Sequence, residues 1–370
     1  MTIPLYEQLY NHVLESIRTG KFRQGDRVPS EAELAEQFKV SRITSKKALE
    51  MLEQNGLISR IRGKGSFVSA GGAPDHAALM HTENGSSAAY QLIGVVVPDF
   101  SDAYALKMIH AIEETCAQHH LFIAIKRTYG SQETEKAAIQ GLIALGVRGL
   151  IVFPVHGEYY NPELLRLVVS GFPVALVDRH LKGIPASAVY TDNVSASRQL
   201  TLHLVDRGLQ HIAFISPPAE NTSTIEERIE GYRAALEARK LVYQPHYVLS
   251  TLYSTLPTTF HAENIRRDAD ALYAFLTNRP QLEAIIASEY NLALLAANVL
   301  TTHGLTMPIV CFDSPDMPFA PPLFTHIRQN EALIGQRAVE VLIAHMAGEQ
   351  AMQTIIVDFE FVQADALASH

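Results

Sequence analysis

Residues 28–68 read V-P-S-E-A-E-L-A-E-Q-F-K-V-S-R-I-T-S-K-K-A-L-E-M-L-E-Q-N-G-L-I-S-R-I-R-G-K-G-S-F-V. Ser30 stands three residues before Glu33, the spacing of a capping box, so a helix is predicted to start there. Leu34, Ala35 and Phe38 would form its inner face. Lys39-Val40 leave room only for a tight turn. Ser41 is then a natural N-cap for the next helix, with Ala48, Leu49 and Leu52 facing inward and Gly56 closing it. Two helices joined by so short a turn form a helix-turn-helix, whose second helix enters the major groove of DNA. Strands are predicted over Leu57–Ile61 and Ser66–Val68. The turn Arg62-Gly63-Lys64-Gly65 between them is a glycine-rich basic tip, able to bring its backbone close to a phosphate or a groove. Upstream, Leu5, Leu9, Val13 and Ile17 recur at helical spacing, and Gly20 ends that helix.

Charge follows the same division. The chain carries a net charge of -9. Residues 1–70 hold +3 and the remainder -12, so a polyanion is the expected partner of the N-terminal face alone. The two cysteines, Cys116 and Cys311, are far apart and make neither a metal spacing nor a disulfide framework. No run approaches a membrane span of about 18 apolar residues, and the N-terminus lacks a basic-then-apolar leader. A soluble, cytoplasmic protein with no membrane association, no metal and no cofactor is expected.

The N-terminal segment resembles the GntR-type winged-helix regulators. The likeness rests on Pro29-Ser30-Glu31, Leu34-Ala35, Val40-Ser41-Arg42, Thr44, Ala48-Leu49, Gly56-Leu57 and Gly63-Lys64-Gly65-Ser66-Phe67-Val68. The resemblance implies that Glu31 and Arg42 contact base edges, with Lys46 one turn later. It also implies that Ser41 and Thr44 hold phosphates and that Arg62 and Gly63 enter the minor groove. Ser30, Lys64 and Gly65 complete the expected DNA-facing set. Lys46 departs from the arginine usual there; a lysine is a point donor without a planar fork. Ser45 replaces an apolar residue, which predicts looser packing of the recognition helix on the helix before it.

Residues 70–90 are small and polar, without period, and are expected to be a flexible linker. From Leu92 onward strands and helices alternate. Apolar strands are predicted at Leu92–Pro98, Leu121–Lys126, Gly149–Phe153, Val174–Asp178, Ile212–Ser216, Tyr247–Ser250, Ala284–Ala287 and Ile309–Phe312. Helices fall between them, the first over Tyr104–His119. Near-continuous apolar strands imply parallel sheets buried on both faces, hence an α/β domain of two lobes with a cleft at the strand C-termini. The expected domains are 1–69, a winged helix-turn-helix, and 91–370, a two-lobed α/β domain.

The second part resembles the LacI/GalR effector domain, itself related to periplasmic sugar-binding proteins. The matching pieces are Ile93-Gly94-Val95-Val96-Val97-Pro98, Gly146-Val147-Arg148-Gly149-Leu150-Ile151, Val177-Asp178-Arg179, Thr191-Asp192-Asn193, Arg228 with Gly231-Tyr232, Phe312-Asp313 and Ile327-Arg328-Gln329. A GntR-type reader joined to a LacI-type sensor is the architecture of the arabinose repressors. The resemblance places a ligand near Asp99, Phe100, Ser101, Tyr104 and Arg127, and near His156 or Glu158. It adds Arg228, Ser288, Glu289, Asp313 and Gln329, with Ser288-Glu289 standing where the family commonly has Asn-Asp. It implies a homodimer on duplex operator DNA, controlled by a small sugar.

Two other readings stay open. A regulator answering a nucleobase or a phosphorylated metabolite would need a cleft rich in basic groups; Arg127, Arg179 and Arg228 are the obvious ones. An enzyme with a DNA-binding appendage would need a catalytic motif. The chain shows no G-x-G-x-x-G after a strand, no lysine-type phosphate loop and no G-x-S-x-G elbow.

Overall fold

The structure is a computed structural model. It describes residues 5–54, 57–61, 64–69, 90–157, 161–181, 185–316, 319–349 and 351–364. The expected linker over 70–89 and the residues Gly56, Arg62, Gly63 and Glu158 lie outside the described residues. The chain divides into two compact units, Met1–Ala89 and Tyr90–His370.

In the first unit three helices, α1 (Leu5–Arg18), α2 (Glu31–Phe38) and α3 (Arg42–Gln54), pack with a small antiparallel sheet. Its strands are β1 (Arg27–Val28), β2 (Ile58–Ile61) and β3 (Gly65–Val68), in the order β1-β3-β2. The predicted capping box is present: the Ser30 hydroxyl accepts from the Glu33 N–H, and the Glu33 carboxylate accepts from the Ser30 N–H. Lys39 turns the chain in the left-handed region at φ 53°, and Val40 N–H closes the turn onto Ala35 O. Leu9, Val13, Leu34, Leu49, Leu52, Leu57 and Val68 make one buried core. Strand β1 was not expected. Two residues are too few for a periodic signal, and pairing with Phe67 and Ser66 defines it.

The second unit has two six-stranded sheets. The first lobe contains β4 (Gln91–Val97), β5 (Leu121–Arg127), β6 (Leu150–Val152), β7 (Val174–Val177), β8 (Ser187–Thr191) and β14 (Thr354–Val357), all parallel, ordered β14-β8-β7-β6-β4-β5. The second contains β9 (Ile212–Ile215), β10 (Val248–Leu249), β11 (Ala284–Ala287), β12 (Ile309–Phe312), β13 (Thr325–Gln329) and β15 (Phe359–Val362), ordered β10-β9-β11-β12-β13-β15. Only β15 runs antiparallel to its neighbour. The buried runs of β6, β7, β9 and β11 are those the apolar reading located. Strands β8, β13 and β15 lack such a run, because Ser187, Tyr190, Thr191, Thr325, Arg328 and Glu360 interrupt them. Tertiary pairing, not local pattern, makes them strands.

The chain crosses between lobes three times: at Asp192, before α7 (Asn193–Val205); at Asn330, before α11 (Glu331–Met346); and at Asp358, between β14 and β15. Helix α11 returns to the first lobe and packs on α4 (Leu106–Gln118). The two backbones meet at Gly335, where a Cβ would lie 2.5 Å from Met108 O. In the second lobe α7 meets α8 (Ser223–Ala238) at Gly231, where a Cβ would lie 2.1 Å from Val194 O. One correction concerns Tyr104. It precedes α4, in a Ser101–Tyr104 turn that ends with Ala105 at φ 73°.

Candidate DNA interface and effector cleft

Helix α3 presents Arg42 and Lys46 to solvent, with Ile43 between them 80 % exposed. Ser41 Oγ accepts from Thr44 N–H at 3.2 Å and lies 2.9 Å from Thr44 Oγ1, so the two hydroxyls form the helix cap as one unit. Lys46 pairs with Glu50 at 3.7 Å. Glu31 is not free at the surface; Arg60 reaches it at 3.4 Å and Glu53 at 3.3 Å. Ser30 spends its hydroxyl on the cap of α2. Lys64 is exposed beside Gly65, whose φ of 112° and closeness to Arg27 suit glycine. Ser45 does not loosen the helix. It is wholly buried, and its hydroxyl donates to Glu31 O at 2.7 Å, tying α3 to the first turn of α2. The apolar pattern gave Ile43 no role, and its exposure is what singles it out.

The cleft of the second unit has a volume of about 310 Å³ and lies at the C-terminal ends of the parallel strands of both lobes. Of the expected residues, Asp99, Phe100, Ser101, Tyr104, His156, Arg228, Ser288, Glu289, Asp313 and Gln329 line it. Arg127 does not. It pairs with Asp99 at 2.8 Å and lies over the Tyr129 and Phe100 rings, which positions the rim from outside. Sequence reading assigned no ligand role to Asp178, Phe153, Thr224, Thr255 and Phe260, which also line the cavity. Asp178 sat in the quoted Val-Asp-Arg piece. The others carry no motif of their own.

Arg228, buried on α8, organises the second lobe's wall. Its Nε donates to Asn193 Oδ1 at 2.9 Å and its Nη1 to Ser288 O at 2.6 Å, and its plane lies 3.8 Å from the Phe312 ring centroid. Its Nη2 has no protein hydrogen-bond partner among the described residues. Glu227, one residue earlier, accepts from Asn193 Nδ2 at 3.2 Å and meets His180 Nε2 of the first lobe at 2.6 Å. Opposite, Tyr104 donates to the Asp178 carboxylate, while on the same lobe as Arg228 the Gln329 amide donates to Asp313 Oδ2 at 2.8 Å. Arg179 gives its Nη1 to Pro154 O and stacks on Phe153.

Burial sets the titration of these groups. It pushes the Asp313 carboxyl up to about 7, against the pull of Arg228 and the Gln329 hydrogen bond. It raises Asp178, opposed by Arg179, Tyr104 and Arg228, and raises Glu289, opposed by Thr255, Arg228 and Arg179. Burial and the nearby Arg179 lower His156 to about 4, so its ring is neutral. Ser288 Oγ and His156 Nε2 are buried without hydrogen-bond partners. Buried polar atoms are ordinarily satisfied, so this set is suited to a polar ligand. Among the described residues no group of three or more His, Cys, Asp or Glu is placed to hold a metal. No described helix is long and apolar enough to cross a membrane.

These two sites, a basic helix-turn-helix and a polar cleft between α/β lobes, define a ligand-responsive DNA-binding regulator. Residues 90–364 match the family of periplasmic binding proteins and sugar binding domains of the LacI family, and the chain belongs to it. Residues 5–68 match the bacterial regulatory proteins of the gntR family, so the first unit is a GntR-type helix-turn-helix domain. The chain is 27% identical over 355 residues to the arabinose metabolism transcriptional repressor of Geobacillus stearothermophilus, covering 92% of this chain and 91% of that one. It is 27% identical over 266 residues to the regulator PtxS of Pseudomonas aeruginosa, covering 70% and 73%. Among solved structures, the transcription regulator CcpA of Lactococcus lactis shares the fold with a TM-score of 0.64 at 20% identity, over 74% of this chain and 98% of that one.

Proposed function

We propose that this chain is a repressor that binds duplex operator DNA as a homodimer and is controlled by an uncharged sugar held between the two lobes. The observation that carries the sugar is the charge of the cleft. Four acidic groups line it, Asp99, Asp178, Glu289 and Asp313, against two arginines, and Arg228 gives two of its three nitrogens to protein acceptors. Carboxylates and a spare guanidinium nitrogen suit paired hydroxyls as acceptors and donor. A phosphate would want several free basic groups, and the cleft offers few: Arg127 stands outside the cavity, paired with Asp99. The full-length relative is a repressor of arabinose metabolism, which makes a pentose the first ligand to try.

In this reading Arg42 and Lys46 read base edges, Ser41 and Thr44 hold phosphates, and the tip at Arg62-Gly63-Lys64-Gly65 enters the minor groove. Glu31, held by Arg60, either buttresses Arg60 or swings to a base on binding. The cleft binds its ligand without turning it over, and the protein works in the cytoplasm, where its DNA lies. The test is fluorescence polarisation with labelled fragments flanking the gene, titrated with the purified chain and then with L-arabinose, D-xylose, D-ribose, D-galactose and D-glucose. One sugar is expected to release or tighten the DNA. Unchanged polarisation with every sugar, alongside a response to a phosphorylated metabolite, would overturn the sugar reading.

A further inference from the structure

The segment between β10 and α9 (Ala262–Thr277) does more than connect them. It leaves the outermost strand of the second lobe's sheet and touches the turn after β5, the outermost strand of the first. The contact is between Pro257 and Gly130; a Cβ on Gly130 would lie 3.3 Å from Pro257 Cγ. The strands next to the crossovers, β14 and β8 in one sheet and β13 and β15 in the other, lie at the opposite edges. The segment therefore spans the cleft mouth on the side away from the hinge. Leu256, Pro257, Thr258 and Phe260 all line the cavity.

This strap is built rather than slack. The buried Asp268 carboxylate accepts the N–H groups of Tyr253 and Ser254, each at 2.6 Å. The Thr259 hydroxyl donates to Leu256 O at 2.7 Å, and Asn264 Nδ2 donates to Thr259 O at 3.0 Å. Thr258 sits at φ 65°, a conformation that the surrounding bonds must hold. On this frame Phe260 is 67 % exposed while facing the cavity, and no ring or cation packs on it among the described residues. Phe153 and Phe100, by contrast, already carry arginines. An open aromatic face at the mouth of a polar cleft is a surface for the C–H side of one sugar ring.

We propose that residues 253–261 form a size gate, restricting the cleft to a single sugar ring packed against Phe260 and excluding chains extended through the mouth. The proposal rests on the sugar reading above. The cavity, about 310 Å³, lies at the small end of the roughly 300–1,000 Å³ that ligand pockets span.

The test is isothermal titration calorimetry on the full chain. The probes are L-arabinose, D-ribose, D-galactose and D-glucose, and the disaccharides arabinobiose, lactose and maltose. The native protein should bind a monosaccharide and discriminate against the disaccharide that contains it. Phe260→Ala, at an exposed position that folding does not need, should weaken the monosaccharide about tenfold, and Phe260→Trp should retain it. Deleting Leu256, Pro257 and Thr258 should narrow the gap between the two sugars. A disaccharide bound as tightly as its own monosaccharide by the native chain would overturn the gate, as would Phe260→Ala and the deletion leaving both affinities unchanged. If no sugar of either length binds while the chain still holds operator DNA, the sugar reading itself fails, and the gate with it.

Discussion

Arg42 and Asp313 are the two residues on which the proposed function turns. Arg42 begins α3 on an exposed face, able to offer its fork to a guanine. Arg42→Ala is expected to cost about 1–3 kcal/mol of preference for the operator over unrelated DNA, whereas Lys64→Ala should weaken both alike and flatten the salt dependence. Competition binding at several salt concentrations separates the two outcomes. Asp313 works through its proton. Its carboxyl lies near 7 in the folded cleft against an ordinary 3.8, so the folded state holds a proton that the unfolded state gives up. That contribution to stability is full below about pH 4 and is lost as pH rises through about 7. The ligand-free protein is therefore expected to melt lower at pH 8 than at pH 5.5, with Asp313→Asn removing part of the slope. Sugar affinity should move the other way, rising with pH as the carboxylate becomes available to accept a hydroxyl.

At the scale of elements, helix contacts without any side chain between them are the fragile points. Gly231 lets α8 lie against the Val194 carbonyl of α7, so Gly231→Ala is expected to push the helices apart and cost about 1–3 kcal/mol. A lowered urea midpoint would register it, while DNA binding by the first unit should persist. Much of this architecture was legible beforehand. Ser30 and Glu33 announce α2 because a capping box is a local bond set, and the strands β9, β11 and β12 announce themselves because burial on both faces leaves an unbroken apolar run. Strands β8, β13 and β15 were illegible for the converse reason, since their identity comes from partners far along the chain. The cleft divides likewise. Arg228 and Asp313 came from matched motif positions and Tyr104 from the loop after the first strand, but Phe260 and Thr255 stand on a strap whose path no local rule specifies. Arg127 braces the rim, which its sequence could not show, because a charged loop residue reads the same whether it points into a cleft or stands beside it.

Across the whole molecule, the cleft is wired to the places where the chain changes lobes. Arg228 and Glu227 both grip Asn193 just past the first crossover, and Gln329, which holds Asp313, precedes the second. A ligand that engages Arg228 and Asp313 thus acts one hydrogen bond from two crossovers. Coupling between ligand and operator should be about 1–3 kcal/mol and reciprocal. Asn193→Ala is expected to shrink that coupling while leaving ligand-free DNA affinity intact, measured by polarisation with and without sugar.

The last stretch of chain has an outcome of its own. Since β14 and β15 supply one border strand to each sheet, a premature stop after Gly348 would fray both halves of the sensor at once and spare the DNA reader. The truncated chain is expected to hold operator DNA without answering the ligand, as polarisation with and without sugar would read. A truncated chain that still answered the ligand would show the two border strands to be dispensable to signalling.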